Sequence, residues 1–495
     1  SKGYWSYFER ARNHYGVHYT RCRISDLRED PRTHDLILRY DENPWQEVTP
    51  KSKPFIREEC FDLVVLSVGM EISPKVRELG QRLGIELDEY GFCHTVQFNP
   101  VETSRPGIYA VGPFREPKDI PESVVEASSA AASAATLISP ARFTLTTTPV
   151  YPPEKDVTGE TPRIGVFVCH CGSNIGGYLD VPAVSEYAQR LPYVVHSEEN
   201  LYTCSQDSIR RITEKILELN LNRVVVASCT PLTHQPLFQN SLRAAGLNPY
   251  LFEMANIRNQ CSWVHSADWE AATVKAKELV RMAVARAALL EPQTQIKVPV
   301  QKSALVVGGG IAGMTAALTL ADQGFPVFLV EKTAELGGNA RRIYTSLPRH
   351  LADQKVDPQA VLRQLVQRVT THPGIVIHLE TQVKATTGFM GNFTTTLQHK
   401  DGERRSISHG ATILASGGQE YRGAEYGYGS DPRAVTQQEF ETLLSQPKSN
   451  LDGIHSIVMI QCIGPAERYC SRICCTVALK NALAFLRLKP EARVI

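Results

Sequence analysis

The sequence has 495 residues, enough for about two to four domains, and 53 basic residues stand against 52 acidic ones. That balance gives no electrostatic case for nucleic acid or an anionic membrane surface. No apolar run approaches the roughly 18 residues that span a bilayer, and no secretory signal is recognised, so a cytoplasmic protein without an integral membrane segment is expected. Twelve cysteines in such a chain favour metal or redox chemistry over a disulfide framework.

Residues 1–140 open with an amphipathic helix, GYWSYFERARNHYG, followed by strands VHYTRCRI and DLILRYD. The apolar run FDLVVLSVG (61–69) predicts a buried strand. TSRPGIYAVG (103–112) predicts a turn feeding a short strand, and a small-residue helix is expected from about Ile120 to Ile138. Residues 141–162, rich in Thr and Pro, form a linker.

Residues 163–300 alternate strand and helix: RIGVFVC, PAVSEYAQRL, DSIRRITEKILELN, RVVVASC and DWEAATVKAKELVRMAVARAALL. That alternation predicts a small α/β domain with a parallel sheet. Residues 301–495 open with ALVVGGGIAGMTAALTLADQGFPVFLVEK, a strand, a helix and a strand.

In this last segment Gly308, Gly310 and Gly313 form G-x-G-x-x-G between the strand and the helix that Ile311 and Ala312 open. The first glycine permits a tight turn and the second lets backbone approach a pyrophosphate. The third lets the helix pack closely on the sheet, with the helix N-terminus facing the phosphates. Glu331, followed by Lys332, ends the second strand and is placed to accept hydrogen bonds from an adenosine ribose. Three later segments favour FAD over NAD. ELGGNARR (335–342), with Gly337, Gly338, Asn339 and Arg341, resembles the segment that lies along pyrophosphate and flavin in flavoproteins with two dinucleotide domains. GATILASGG (410–418), with Ala415, Ser416 and Gly417, resembles the strand and turn that return to the flavin, and Val383 sits where backbone commonly meets adenine.

Residues 1–140 resemble the closing part of a thioredoxin-reductase-like flavoprotein. There the segment equivalent to GIYAVG normally meets the flavin's ribityl chain and pyrophosphate. Here Gly112 is followed by Pro113 and the usual acid is missing, so Lys118 and Asp119, ahead of Ile120, are the polar contacts expected, against the simpler reading that they cap the helix. The chain thus opens with the end of one flavin domain and closes partway through another. A window on a duplicated protein or a circular permutation would each produce that order.

The cysteines form two sets. Cys169 and Cys171 follow one strand of the middle domain, Cys229 ends another, and Cys204 precedes a helix for which Ser205 is a good N-cap. In a parallel α/β sheet, strand C-termini and helix N-termini share the ligand-binding edge, so four thiolates could converge there, stabilised by a helix N-terminus. The alternative is that they are small core residues, and this applies most to Cys261. The second set, Cys462, Cys470, Cys474 and Cys475, has the spacing C-x7-C-x3-C-C, which lacks the paired knuckles of zinc sites. It suits a [4Fe–4S] cluster whose charge Arg468 and Arg472 could offset, with a redox dithiol as rival. His170 is read as a packed or solvent-facing side chain rather than a ligand.

VFVCHCGSNIGGYLDV, VVVASCTPLTH, AGLNPYLFEMANIRNQCSWVH, KAKELVRMAVARA, LVVGGGIAGMTAAL and YCSRICC together resemble the A subunit of heterodisulfide reductase, over essentially the whole chain. The resemblance implies thioredoxin-reductase-like FAD-binding Rossmann domains flanking a small parallel α/β iron–sulfur domain. It also implies FAD and [4Fe–4S] clusters, a cytoplasmic location, and other iron–sulfur or flavin subunits of a large redox complex as partners. Some members of that family split electron pairs between high- and low-potential acceptors. Carried over by position, Cys462, Cys470, Cys474 and Cys475 are cluster ligands, and Cys169, Cys171, Cys204 and Cys229 are candidates for a second cluster. Typical members insert a two-cluster ferredoxin module after the LGG segment, whereas residues 343–410 here contain no cysteine. The duplicated order is similar to the electron-transfer part of the tungsten-dependent benzoyl-CoA reductase complex of anaerobes. Beside the electron-transfer reading stand two rivals, namely a stand-alone pyridine-nucleotide–disulfide oxidoreductase and a scaffold with one decayed flavin site. No nucleophile–base constellation is recognised, so no catalytic side chain is assigned.

Overall fold

A computed structural model of the chain describes residues 4–42, 56–347, 356–464 and 470–495. It divides into two compact units, Ser1–Arg142 with Pro299–Ile495, and Phe143–Val298. The fold is α/β, and the larger sheets are parallel.

The first stretch runs α1 (Tyr4–His14), β1 (Arg23–Glu29), β2 (Leu36–Asp41), β3 (Ile56–Phe61), α2 (Pro74–Leu83), β4 (Thr95–Val96), β5 (Asn99–Thr103) and α3 (Ile120–Ile138). Helix α3 begins where the sequence says it should. Asp119 accepts the Glu122 N–H, Glu122 reaches back to the Asp119 N–H, and Pro121 fills the first turn, where its missing donor costs nothing. Strands β1, β2 and β3 form an antiparallel meander. The strand expected over VHYTRCRI starts only at Arg23, and GIYAVG makes a single bridge, Glu102 to Tyr109, rather than a strand.

The buried strand expected over 61–69 is not formed. Leu63, Val65, Leu66 and Val68 are 71–81% exposed, and no described strand pairs with them. A second copy of the pattern shows what is missing. Another antiparallel meander, over residues 381–409, is also followed by an apolar segment ending in glycine, and that segment does find a neighbouring strand. An apolar run joins a parallel sheet only where a strand flanks it, and the 411–414 segment pairs in this way although it stays largely exposed.

The middle unit runs β6 (Ile164–Cys169), α4 (Val181–Gln189), β7 (Val194–Asn200), α5 (Gln206–Glu218), β8 (Arg223–Ser228), α6 (Pro231–Ala244), β9 (Phe252–Asn256) and α7 (Trp269–Ala288). Its sheet is parallel in the order β7-β6-β8-β9. Side-chain alternation sends Val166, Val168, Val225 and Ala227 into the core that holds Ala276 and Val280 of α7. Phe167, Val224 and Val226 enter the opposite core with Ile212 and Phe238. Each large apolar side chain buried here contributes about 1.5–3 kcal/mol of transfer free energy.

The remaining stretch contains β10 (Ala304–Val307), α8 (Ile311–Ala321), β11 (Val327–Val330), α9 (Pro358–Thr371), β12 (Ile375–His378), the meander β13 (Thr381–Phe389), β14 (Asn392–His399) and β15 (Arg404–His409), then β16 (Ala411–Leu414). Strands β12-β11-β10-β16 form a parallel sheet, the register pairing Val307 with both Val330 and Leu414. The chain closes with α10 (Gln437–Leu444), β17 (Ser456–Ile457), α11 (Cys474–Leu488) and β18 (Arg493–Val494). Within this unit α3 is tied to the end of α8: Ser139 Oγ donates to the Asp322 carbonyl at 3.5 Å, and the Arg142 guanidinium lies 5.0 Å from the Phe325 ring centre. No described helix is long and apolar enough to cross a membrane.

Candidate cofactor sites

The glycine-rich turn joins β10 to α8. Gly308 has φ 114°, and a Cβ there would lie 2.2 Å from the Ala415 carbonyl oxygen. A Cβ on Gly310 would meet nothing within 4 Å, which leaves an open cradle at the uncapped start of α8 beside the exposed Ile311 and Ala312. Glu331, 7% exposed, is fixed at the turn: Oε2 accepts the Gly309 N–H at 2.7 Å, and Oε1 accepts the Thr333 N–H and hydroxyl, each at 2.8 Å. The ELGGNARR segment lies against the same turn. Gly337 N–H donates to the Gly309 carbonyl at 2.8 Å, Gly338 follows, and Asn339 Nδ2 reaches the Gly418 carbonyl at 2.8 Å. From the far side Ala415 N–H donates to the Val307 carbonyl at 2.8 Å, with Ser416 and Gly417 exposed after it. The structure thus gathers the glycines, Glu331, the 337–339 segment and the 415–417 turn. Lys332 is exposed, and Arg341 pairs with Glu335. The Val383 side chain packs against a cluster that includes Leu305, Val330 and Leu397.

The Gly112 loop is organised by Glu126 of α3. Its Oε2 accepts the Gly112 N–H at 3.0 Å, while Oε1 pairs with Arg115 at 2.8 Å and with Lys118. The Lys118 side chain is 2% exposed and Asp119 caps α3, so both side chains are engaged within the loop, whereas Ile120 is 81% exposed.

The middle-domain thiols lie on the carboxyl edge of their sheet. Cys169 ends β6, Cys229 follows β8, and Cys204 precedes α5, which Ser205 caps by accepting the Ser208 N–H. The sulfur of Cys169 accepts N–H bonds from Cys171 at 3.3 Å and Thr203 at 3.4 Å. Burial pushes the Cys204 thiol pKa up, with the neighbouring Cys169, Cys229 and Cys171 adding to the rise. Burial also raises Cys229, opposed by the charge of Arg258. The Cys204 and Cys229 thiols thus each feel other sulfurs of the set. Thr203 Oγ1 is buried beside them without a hydrogen-bond partner in the described structure. His170 bonds Glu199 at 3.0 Å rather than a thiol neighbour. Cys261 is fully buried, its thiol donating to the Ala272 carbonyl at 3.0 Å, with its pKa pushed up to about 11 by burial.

In the closing set, Cys462, Cys470 and Cys475 are exposed, and Cys474 opens α11 half-buried. Cys470 sulfur accepts the Arg472 N–H at 3.4 Å, and the Arg472 guanidinium pairs with Glu122 at 2.8 Å. Arg468 lies outside the described residues. All twelve cysteines are free thiols. Among the described residues no three Cys, His, Asp or Glu side chains converge to hold a single metal ion. A cubane cluster takes one thiolate per iron, so its ligands need not meet at one point. Free thiols, with N–H···S bonds already made to Cys169 and Cys470, are a donor set of the kind such a cluster uses. Sequence reasoning missed Arg258 and Thr203, since neither carries a motif signal and both act through tertiary placement.

A family model described as an NAD(P)-binding Rossmann-like domain matches residues 306–356. The chain is 34% identical over 433 residues to the A subunit of the H(2):CoB-CoM heterodisulfide,ferredoxin reductase of Methanothermobacter thermautotrophicus, a match covering 69% of this chain and 65% of that protein. It is 35% identical to the first of two iron-sulfur A subunits of the CoB--CoM heterodisulfide reductase of Methanopyrus kandleri, over 67% of this chain and 63% of that one. The second of those M. kandleri proteins is 47% identical over 241 residues, 49% of this chain and 36% of that protein. The matched region is thus less than two thirds of each of these relatives.

Proposed function

For this homologue of heterodisulfide reductase A subunits, we propose a role in electron transfer, as the FAD- and [4Fe–4S]-bearing member of a multi-subunit oxidoreductase. The observation that carries the reading is the open cradle at Gly310, set between Glu331 and the uncapped first turn of α8. The backbone N–H groups of that turn suit a pyrophosphate, and Glu331, held by Gly309 and Thr333, suits ribose hydroxyls. Gly337, Gly338 and Asn339 complete the wall of the cradle. Cys462, Cys470, Cys474 and Cys475 would hold one cluster, and Cys169, Cys171, Cys204 and Cys229 a second. Backbone donors on Cys169 and Cys470 help stabilise thiolate charge and tune potential. Bound flavin supplies two-electron chemistry and the clusters supply one-electron steps. Both relatives are named as A subunits of reductases, and the M. kandleri protein as an iron-sulfur subunit, which supports partner redox subunits here.

The test is anaerobic purification of the native complex, with FAD, iron and acid-labile sulfide counted per chain after subtracting partner contributions. FAD with ~4 irons per occupied cysteine set is the expected result. FAD without iron would remove the electron-transfer reading and leave a thiol–disulfide reductase.

A further inference from the structure

We propose that Arg258 is the cation that offsets the negative charge of an iron–sulfur cluster on the Cys169–Cys171–Cys204–Cys229 edge, an inference that rests on the cluster reading above. Arg258 opens a π-helical turn, Arg258–Ser262, directly after β9. Such turns are rare and recur at functional sites. This one is fastened at both ends. Asn256 Oδ1 accepts the Asn259 N–H at 2.9 Å, and Ser262 Oγ donates to the Asn174 carbonyl at 2.7 Å, in the loop that follows Cys171. Within that frame Arg258 Nη1 stands 3.9 Å from the Cys171 sulfur. The guanidinium carbon lies 4.8 Å from the Trp263 ring centre, and Nε reaches Asn259 Oδ1 at 3.3 Å.

The unbalanced charge in this frame is that of Arg258. It is half-buried, yet among the described residues it forms no ion pair with a carboxylate. A partly desolvated guanidinium without a counter-ion is costly, and Arg is the residue suited to ordered recognition of an anion. The structure aims it at a sulfur in a set of four thiols. Four thiolates around a cubane core are anionic in both working redox states. A fixed cation beside them favours loading, and it favours the reduced form, which carries one more negative charge.

The test uses the full chain carrying Cys470→Ser, Cys474→Ser and Cys475→Ser, so that iron reports on the middle domain alone. Arg258→Met and Arg258→Lys are compared with this parent after anaerobic loading with iron and sulfide. Loss of an outer partner commonly weakens metal binding by roughly 10–100-fold, and Arg258→Met is expected to weaken iron retention against a chelator within that range. Its midpoint potential should move to more negative values, while Arg258→Lys, which keeps the charge, should stay near the parent. If Arg258→Met fails to fold, Arg258→Gln makes the same comparison. Iron retention and potential equal to the parent in the neutral variants would overturn the proposal alone, leaving Arg258 as packing for Trp263. A folded parent that binds no iron would overturn the cluster reading of this domain and this inference with it.

Discussion

The carbonyl oxygen of Gly308 stands 1.8 Å from where a Cβ on Gly313 would sit, whereas a Cβ on Gly310 would touch nothing within 4 Å. The two glycines are therefore needed for different reasons, one for packing α8 on its sheet and the other for access. Gly313→Ala must displace backbone, and it should lower the melting temperature whether or not FAD is present. Gly310→Ala should melt like the parent when both are free of FAD, yet retain much less FAD after purification. Equal FAD content in Gly310→Ala and parent would argue against a pyrophosphate in that cradle.

Glu126 is the anion around which the Gly112 loop closes. It bonds Arg115 and Lys118, whose side chains are 5% and 2% exposed, and also takes the Gly112 N–H. Glu126→Gln keeps the shape but removes the charge, leaving Glu116, itself 36% exposed, to serve both cations. Breaking a buried pair from one side costs about 3–5 kcal/mol, and the remaining Glu116 places the expected loss at the lower end. Chemical denaturation followed by far-UV circular dichroism measures it. A loss below about 1 kcal/mol, the range of an exposed pair, would show that water reaches these cations.

Much of this architecture was legible because its signals are local. Asp119, Pro121 and Glu122 mark the start of α3, and the unbroken apolar runs of β6 and β8 mark central parallel strands. What was not legible depends on neighbours. Strand β7 carries His196, Ser197, Glu198 and Glu199 because it is a sheet edge, and α6 hides behind Pro236 inside its span. The reverse error is 61–69, where a strand-like run has no described sheet to join. At the sites, the glycine motif and the cysteines could be read from residue type and spacing. Arg258 could not, since only the turn after β9 carries it to Cys171.

Cys261 gives the middle domain a pH dependence of known sign. Its folded pKa is raised from 9.0 to about 11 by burial, so the contribution is fully present below pH 9. Between pH 9 and 11 the unfolded chain releases this proton while the folded domain keeps it, and stability falls as pH rises. Cys261→Ala loses the thiol's bond to Ala272 but also this slope. Denaturation midpoints, followed by the fluorescence of Trp263 and Trp269, should show the variant's deficit relative to the parent shrinking above pH 9. A constant deficit across that window would mean that the thiol ionises as readily in the folded domain as in the unfolded chain.

The two cysteine sets lie in different compact units, Cys171 within Phe143–Val298 and Cys474 at the start of α11 in the other. If each holds its own cluster, iron loss should be additive. Cys171→Ser and Cys474→Ser should each remove ~4 irons per chain, and the double variant both sets. FAD content should be unchanged by Cys171→Ser, because the glycine turn and Glu331 belong to the unit without Cys171. Iron and acid-labile sulfide assays, with the flavin absorbance of the same samples, decide this. A single substitution that strips all iron would show that the sets load interdependently, and unchanged iron in Cys171→Ser would return the middle-domain thiols to the simpler role of small buried side chains.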